Sequence, residues 1–245
     1  MTDSDDDIRS ILSGMPDKFD ILEDGIDFQT QKEYMELSHS YGHGELTEQE
    51  TLKLSSILFS KNTPTEGKKK ALSLLAHLGT VVAFRQIEKY SKSPDKELTQ
   101  WTLLALRECR MFLESSLGDD DTGFIISGLG GSGDRLRYYF LVLPLLEKSF
   151  TNTQKDIIRD EFTIICKDFN SIIEMFYYSD NSVGLTILMP LDVAIGKLIE
   201  TGIKKCNELG TFVFEYYYVT NQDIPGESEI RDIIKIIIEG EPEQN

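Results

Sequence analysis

The feature that most constrains the fold of this chain is a change of hydrophobic period near residue 120. Before that point apolar residues recur every three or four positions, as in 54–58, which is the period of amphipathic helices. After it, β-branched and aromatic runs such as 136–143 are separated by turn residues, as strands are. The stretch between the two patterns, 118–123, reads GDDDTG and is typical of a boundary. The sequence therefore predicts an α+β chain, with a helical part followed by an antiparallel α/β domain over residues 122–240.

Local signals predict where the helices between residues 46 and 117 begin and end. Thr47-Glu48-Gln49-Glu50 has the spacing of a capping box and indicates a helix start. Gly79 occupies the position of a helix-ending glycine, and Thr80 after it can cap the next helix. Ser93-Pro94 predicts a third helix, with serine as the N-cap and proline at the first helical position.

Two of these helices carry similar apolar faces thirty positions apart, ALSLLA at 71–76 and WTLLAL at 101–106. With the helix–glycine–helix–proline punctuation, residues 46–117 resemble HEAT-like repeats. The resemblance spans at most two units and implies a short right-handed stack of helix pairs, capped by the second domain. It also implies a helical surface for a protein partner. On that surface we expect Arg85, Glu88 and Lys89.

The C-terminal half predicts strands and helices in the order ββα-ββα-βα, a sandwich-type α/β domain with helices mainly on one face. The predicted strands are 124–127, 136–143, 172–178, 185–189 and 211–219. Two helices are opened by Thr151 or Thr153 and by Asp192, and a final helix spans 228–238. A Leu/Met-Pro-Leu match at 143–145 and 189–191 indicates a weak internal duplication.

Runs of tyrosine mark three of these strands. Because strand side chains alternate between faces, each run places aromatic rings on both sides of the sheet. One set enters the core, and the other forms a binding surface or is itself covered by another part of the chain. The candidates for the surface are Tyr138, Tyr177 and Tyr217.

The glycines of 128–133 fit the string G-x-G-x-x-G. A dinucleotide site needs this string between a strand and a helix, whereas here a strand follows, so the simplest prediction is a hairpin loop. The alternative is a small-molecule or nucleotide-binding enzyme of unrecognised type that uses this loop. Its cofactor-binding candidates are Gly128, Gly130, Gly133 and Arg135.

No combination of residues predicts a catalytic or metal site, so no cofactor is expected. His39 and His43 lie in a Gly/Ser-rich loop that fixes no ligand geometry, even with Glu45 or Glu48 nearby. The three cysteines are far apart, contain no CxxC pair, and indicate neither disulfides nor zinc.

The negative charge of the chain limits the classes of partner that it is expected to bind. The net charge is −17, and residues 1–50 hold 14 acidic against three basic residues. This balance opposes nucleic-acid binding and favours basic partners or cations. We expect residues 1–45 to be a partly disordered acidic leader. The start resembles no signal peptide and no apolar run is long enough to span a bilayer, so a cytoplasmic protein is expected.

Together these patterns predict a non-catalytic protein-interaction or scaffold module, more readily than an enzyme. The identity of the partner and the oligomeric state stay open. A further alternative is a structural subunit whose acidic leader engages a basic protein.

Overall fold

The computed structural model describes residues 18–41, 46–118, 122–145 and 149–239. Among these, 18–20 and 26–126 form one compact unit, and 21–25 and 127–239 form a second. The chain is α+β, with a mainly helical first unit and an antiparallel sheet in the second. The boundary at 126/127 follows the predicted one by a few residues. No local pattern in the sequence indicates that 21–25 belongs to the second unit.

The first unit is built around five helices. They are α1 (Phe28–His39), α2 (Glu48–Phe59), α3 (Thr65–Leu78), α4 (Val81–Ser91) and α5 (Thr99–Leu117), with a 3-10 turn at Lys96–Leu98. Helix α3 packs against the other four, and the leucine-rich core lies between them. Strands β1 (Lys18–Ile21) and β2 (Thr122–Ile125) pair in a small parallel sheet.

Most of the predicted helix signals are confirmed. Thr47 and Glu50 form both hydrogen bonds of a capping box, which satisfies two backbone donors at the start of α2. Helix α3 ends at Gly79, whose φ of 56° is the left-handed conformation that glycine adopts at least cost. The Thr80 hydroxyl accepts from the amide of Ala83 and caps α4.

The predicted cap at Ser93 is wrong, because α5 begins at Thr99 after the 3-10 turn. The neighbouring Asp95 carboxylate is engaged in tertiary contacts instead: Lys68 Nζ lies 2.6 Å from Asp95 Oδ2, and the Tyr90 hydroxyl donates to the same oxygen. The Lys68 bond and then the Tyr90 bond lower the pKa of Asp95. A long-range ion pair has replaced local capping at this helix start.

The described part of the predicted leader is folded. It contains β1 and the twelve-residue helix α1, whose Asp27 carboxylate accepts from the amide and hydroxyl of Thr30. Tyr34 of α1 is buried in the first unit. The acidic composition of 1–45 did not indicate this helix, because the helix buries Tyr34 against residues that lie far away in the sequence. The leader prediction for 1–17 lies outside the described residues.

The second unit follows the predicted order ββα-ββα-βα. Its elements are β3 (Gly131–Ser132), β4 (Arg135–Pro144), α6 (Asn152–Asp168), β5 (Ile172–Tyr178), β6 (Val183–Pro190), α7 (Ile195–Glu208), β7 (Val213–Thr220) and α8 (Glu227–Glu239). The long strands lie in the order β7-β4-β6-β5, all neighbours antiparallel, and β3 forms a hairpin with β4. This order is the split βαβ arrangement of ferredoxin-like folds.

The two faces of this sheet are covered differently. Helices α6 and α7 pack on one face, over a large core that includes Phe140, Phe162 and Leu185. On the other face the smaller α8 cluster contains Tyr139, Leu141, Leu143 and Phe214, with isoleucines of α8 against it. Among the described residues, no helix combines the length and apolarity needed to cross a bilayer.

Two details of the predicted second domain are wrong. The run 124–127 is not the first strand of its sheet, because 122–125 forms β2 of the first unit. Asp192 does not cap α7, which starts at Ile195. Pro144 and Pro190 each end a strand, β4 and β6, and because these strands are antiparallel the two Pro-Leu motifs lie at opposite ends of the sheet; the internal duplication stays a prediction.

Candidate interaction surface

The glycine-rich loop is closely packed against the backbone of its own unit. A side chain on Gly128 would overlap the backbone of Gln222, and one on Gly130 would overlap that of Glu23. Gly133 has a φ of 60° with open space around it and turns the chain from β3 into β4. These glycines therefore serve backbone packing and a tight hairpin turn.

Three amide donors of this loop are engaged within the protein. Leu129 N–H donates to the Asn221 carbonyl, Gly130 N–H to Ser127, and Gly131 N–H to Glu23. A phosphate-binding loop needs such amides directed at the ligand. The geometry of this loop thus gives no support to its use as an anion cradle.

The arginines beside the loop are also engaged. Arg135 donates to the backbone and side-chain oxygens of Asn170 and pairs with Asp134. Arg137 forms a bidentate pair with Glu174, at 2.5 and 2.8 Å, and donates to the Leu129 carbonyl at 2.7 Å. The Glu174 bonds raise the pKa of Arg137.

The three candidate tyrosines do not share one surface. Tyr138 and Tyr217 pack against the core under α6 and α7, and the Tyr217 hydroxyl lies 3.3 Å from Glu200 Oε1. Burial raises the pKa of both, with Glu200 adding to the effect at Tyr217. Tyr177 lies opposite Gly184 in the register and therefore on the α8 face of the sheet. Successive side chains of a strand lie on opposite faces of the sheet, so the position of each tyrosine along its strand decides which face its ring occupies.

Tyr177 lies on β5, one of the two edge strands of the sheet among the described residues. Register places Ile172, Met175 and Tyr177 on the α8 face, where the Tyr177 ring meets the buried Tyr139 ring edge-on at 5.8 Å. Every residue of β5 is at least partly exposed. The exposed fractions are 49% for Ile172, 53% for Met175, 39% for Tyr177 and 47% for Tyr178.

The sequence of β5, IIEMFYY, explains both its conformation and its exposure. β-Branched and aromatic residues favour a strand, and the strand contains no proline or lysine, which commonly protect sheet edges. Its one charge, Glu174, lies at a register shift and is paired with Arg137. Sequence reasoning selected Tyr177 but missed Ile172 and Met175, although the lack of lysine and proline in 172–178 is visible in the sequence.

The charged candidates of the helical unit lie on or near the exposed side of α4. Arg85 pairs with Glu88 at 2.7 Å, and the bond lowers the pKa of Glu88. Lys89 Nζ lies 5.0 Å from the centre of the Phe59 ring. These contacts are of the kind that solvated helix faces commonly form.

The histidines take different positions. His39 ends α1, and His43 and Glu45 lie outside the described residues. Within the described ranges no group of three His, Cys, Asp or Glu side chains is arranged to hold a metal ion. His77 lies near the end of α3, with its ring 4.9 Å from that of Phe112 and its Nδ1 atom 3.7 Å from Glu108 Oε1.

Sequence reasoning missed a buried polar cluster around Glu108. Its carboxylate accepts from the Tyr34 hydroxyl at 2.6 Å and the Ser38 hydroxyl at 2.5 Å. Burial, with the nearby carboxylate, raises the pKa of Tyr34 well above its usual value. The signal available in the sequence was a glutamate within the apolar stripe of α5.

Comparisons with known proteins identify no family. No family model matches the chain, and no curated protein matches it. Among solved structures, a REP-associated tyrosine transposase bound to a REP hairpin is similar over 42% of this chain and 68% of that one, with 12% identity and a TM-score of 0.31. A putative transposase from Deinococcus radiodurans matches 43% of this chain and 90% of its own, with 12% identity and a TM-score of 0.34.

The C-terminal domain of the MgtC protein from Mycobacterium tuberculosis is also similar in part. It matches 38% of this chain and 96% of its own, with 11% identity and a TM-score of 0.28. TM-scores this low support no argument about the fold or the function of this chain.

Proposed function

We propose that this chain is a non-catalytic protein-interaction module that receives a partner along β5. The observation that carries the proposal is a mainly apolar edge strand, Ile172–Tyr178, whose residues are all at least partly exposed. A sheet edge offers a row of unpaired backbone groups, and a partner strand can add to it by antiparallel or parallel pairing. Alternating apolar side chains beside those groups would supply specificity.

The helical unit contributes to the same proposal through its resemblance to HEAT-like repeats. Such stacks hold partners on a surface of successive helices. In this hypothesis Arg85, Glu88 and Lys89 form a secondary contact region, and their mutual contacts within the chain make them weaker candidates than β5.

The test is affinity capture from native lysate, quantified by mass spectrometry, with a charged variant of the strand. Met175→Lys places a protecting lysine on the edge, and Ile164→Lys makes the same change on α6, where Ile164 is 55% exposed. We expect the wild-type chain and Ile164→Lys to retain a stoichiometric partner. Met175→Lys should lose it by about tenfold or more. Equal capture by all three proteins would contradict a contact at β5.

The alternative of a ligand-binding enzyme at 128–133 receives no support from the loop, because three of its amides, at 129–131, already donate to backbone carbonyls. The leader hypothesis is tested in the same assay by deleting residues 1–17. A deletion of 1–45 would also remove β1 and α1, with its buried Tyr34. Loss of the partner after that larger deletion would therefore not distinguish binding from unfolding.

A further inference from the structure

A cavity of about 370 Å³ lies in the second unit between α8 and the end of β4. Leu143 and Pro144 of β4 and Ile234 and Ile238 of α8 supply its apolar lining. Its volume falls at the lower end of the range for small-molecule sites, about 300–1,000 Å³. Asn181, in the turn between β5 and β6, contributes a polar group to the rim.

Helix α8 leaves apolar surface for an occupant of this cavity. It carries six isoleucines, yet none of its residues is fully buried. Ile234 packs against the α8 cluster on the sheet and still lines the cavity. An apolar ligand would therefore complete the burial of side chains that the fold only half covers.

The charged side chains at the rim of the cavity favour an anionic ligand. Arg231 and Lys235 lie one helical turn apart and both line the cavity. Lys235 Nζ is 3.8 Å from Glu239 Oε1, whereas Arg231 forms no ion pair with any residue in the described ranges. Among the described residues that line the cavity, two cations thus stand against one carboxylate, although the chain as a whole has a net charge of −17.

We propose that this cavity binds a small amphipathic monocarboxylate. The Arg231 guanidinium has the planar fork that matches a carboxylate, and the Asn181 amide nitrogen is a second donor, since the Asn181 oxygen accepts from Ser149. The aliphatic or aromatic tail lies against Leu143, Ile234 and Ile238. The Glu239 carboxylate at the rim disfavours a doubly charged ligand such as a phosphate monoester.

This site shares no residue with β5, so its test is independent of the proposed protein interaction. The experiment is isothermal titration of the full chain near neutral pH with octanoate, acetate and 1-octanol. Acetate carries the charge without the tail, and 1-octanol carries the tail without the charge. Arg231→Gln removes the proposed anchor, and Arg159→Gln removes the same charge from α6 in the same unit.

We expect octanoate to bind the wild-type chain and Arg159→Gln alike. Arg231→Gln should weaken its binding by about tenfold or more, because a charge-assisted bidentate bond is lost. Acetate should bind at least about a hundredfold more weakly than octanoate, since it lacks the buried methylenes. Arg231→Lys should give an intermediate affinity for octanoate, because lysine keeps the positive charge but lacks the planar guanidinium that binds a carboxylate with two hydrogen bonds.

Two outcomes would overturn the proposal. The first is that 1-octanol binds as tightly as octanoate and Arg231→Gln has no effect, which would leave an apolar crevice without anion recognition. The second is that titration of octanoate up to millimolar concentration gives no measurable heat of binding. Circular dichroism of each variant establishes that α8 remains folded.

Discussion

At the scale of single residues, the buried carboxylate of Glu108 shows how a charge is accommodated in the helical unit. Two hydroxyl donors, from Tyr34 and Ser38, come from α1, and both bonds join residues at least 70 positions apart. A buried carboxylate without such donors costs far more than the bonds themselves contribute. The cluster therefore fixes the position of α1 on α5.

Tyr34→Phe tests this role. It removes one donor and leaves part of the Glu108 carboxylate unsatisfied, so we expect a loss of about 1–3 kcal/mol in the free energy of unfolding. The measurement is urea denaturation followed by circular dichroism. Tyr41→Phe is the matched control, because Tyr41 is only partly buried and just follows α1, and it should change stability by less than about 0.5 kcal/mol. Equal effects of the two substitutions would contradict a specific role for the hydroxyl.

At the scale of elements, the contact between α6 and α7 depends on a missing side chain. A Cβ atom on Gly202 of α7 would overlap the buried ring of Phe162 on α6. Glycine within a helix is otherwise unfavourable by about 1 kcal/mol relative to alanine. Close packing of two helices thus outweighs local helix propensity at this position.

Gly202→Ala and Gly196→Ala separate these two effects on one helix. We expect Gly202→Ala to destabilise the chain by about 1–3 kcal/mol, because the rigid Phe162 ring has no room to move. On Gly196 a new Cβ would lie 3.0 Å from the Tyr217 hydroxyl, the end of a side chain that can shift. Gly196→Ala should therefore be neutral or stabilising by up to about 1 kcal/mol. Thermal unfolding of both variants measures the two changes in stability. An increase in stability for Gly202→Ala would contradict the packing argument.

At the scale of the whole molecule, the chain forms two units whose residues are not contiguous. Ile21–Gly25 belongs to the second unit, although the residues on both sides of it belong to the first. Within the second unit, Gly25 lies so close to the backbone of Gly128 that any side chain would overlap it. The short segment is thus a structural part of the sheet-containing unit.

Gly25→Val should for this reason damage the second unit. We expect a loss of about 2 kcal/mol or more, from overlap with rigid backbone. Hydrogen exchange should rise in residues 127–145 and 213–222 and stay unchanged in α3. Trp101, the single tryptophan of the chain, lies in the first unit and reports on it by fluorescence. Faster exchange confined to the first unit would show that the segment has been assigned to the wrong unit.

The sequence by itself determined the class of the fold and most local boundaries. The change of period near residue 120, the capping box at Thr47 and the glycine after α3 act over a few residues, so their physical effects are visible in a string. The order of strands and helices in the second half follows from the same short-range signals. The resemblance to HEAT-like repeats and the interaction function remain hypotheses that these signals suggest.

Tertiary structure alone decided what depends on distant residues. Asp95 pairs with Lys68 in place of a local cap, and Glu108 meets Tyr34 across 74 positions. The strand order placed β5 at an edge, which separates the exposed Tyr177 from the half-buried Tyr138 and Tyr217. The cavity at Arg231 exists because α8 folds back on the end of β4. Burial and pairing of this kind depend on the path of the whole chain, and no window of neighbouring residues contains that information.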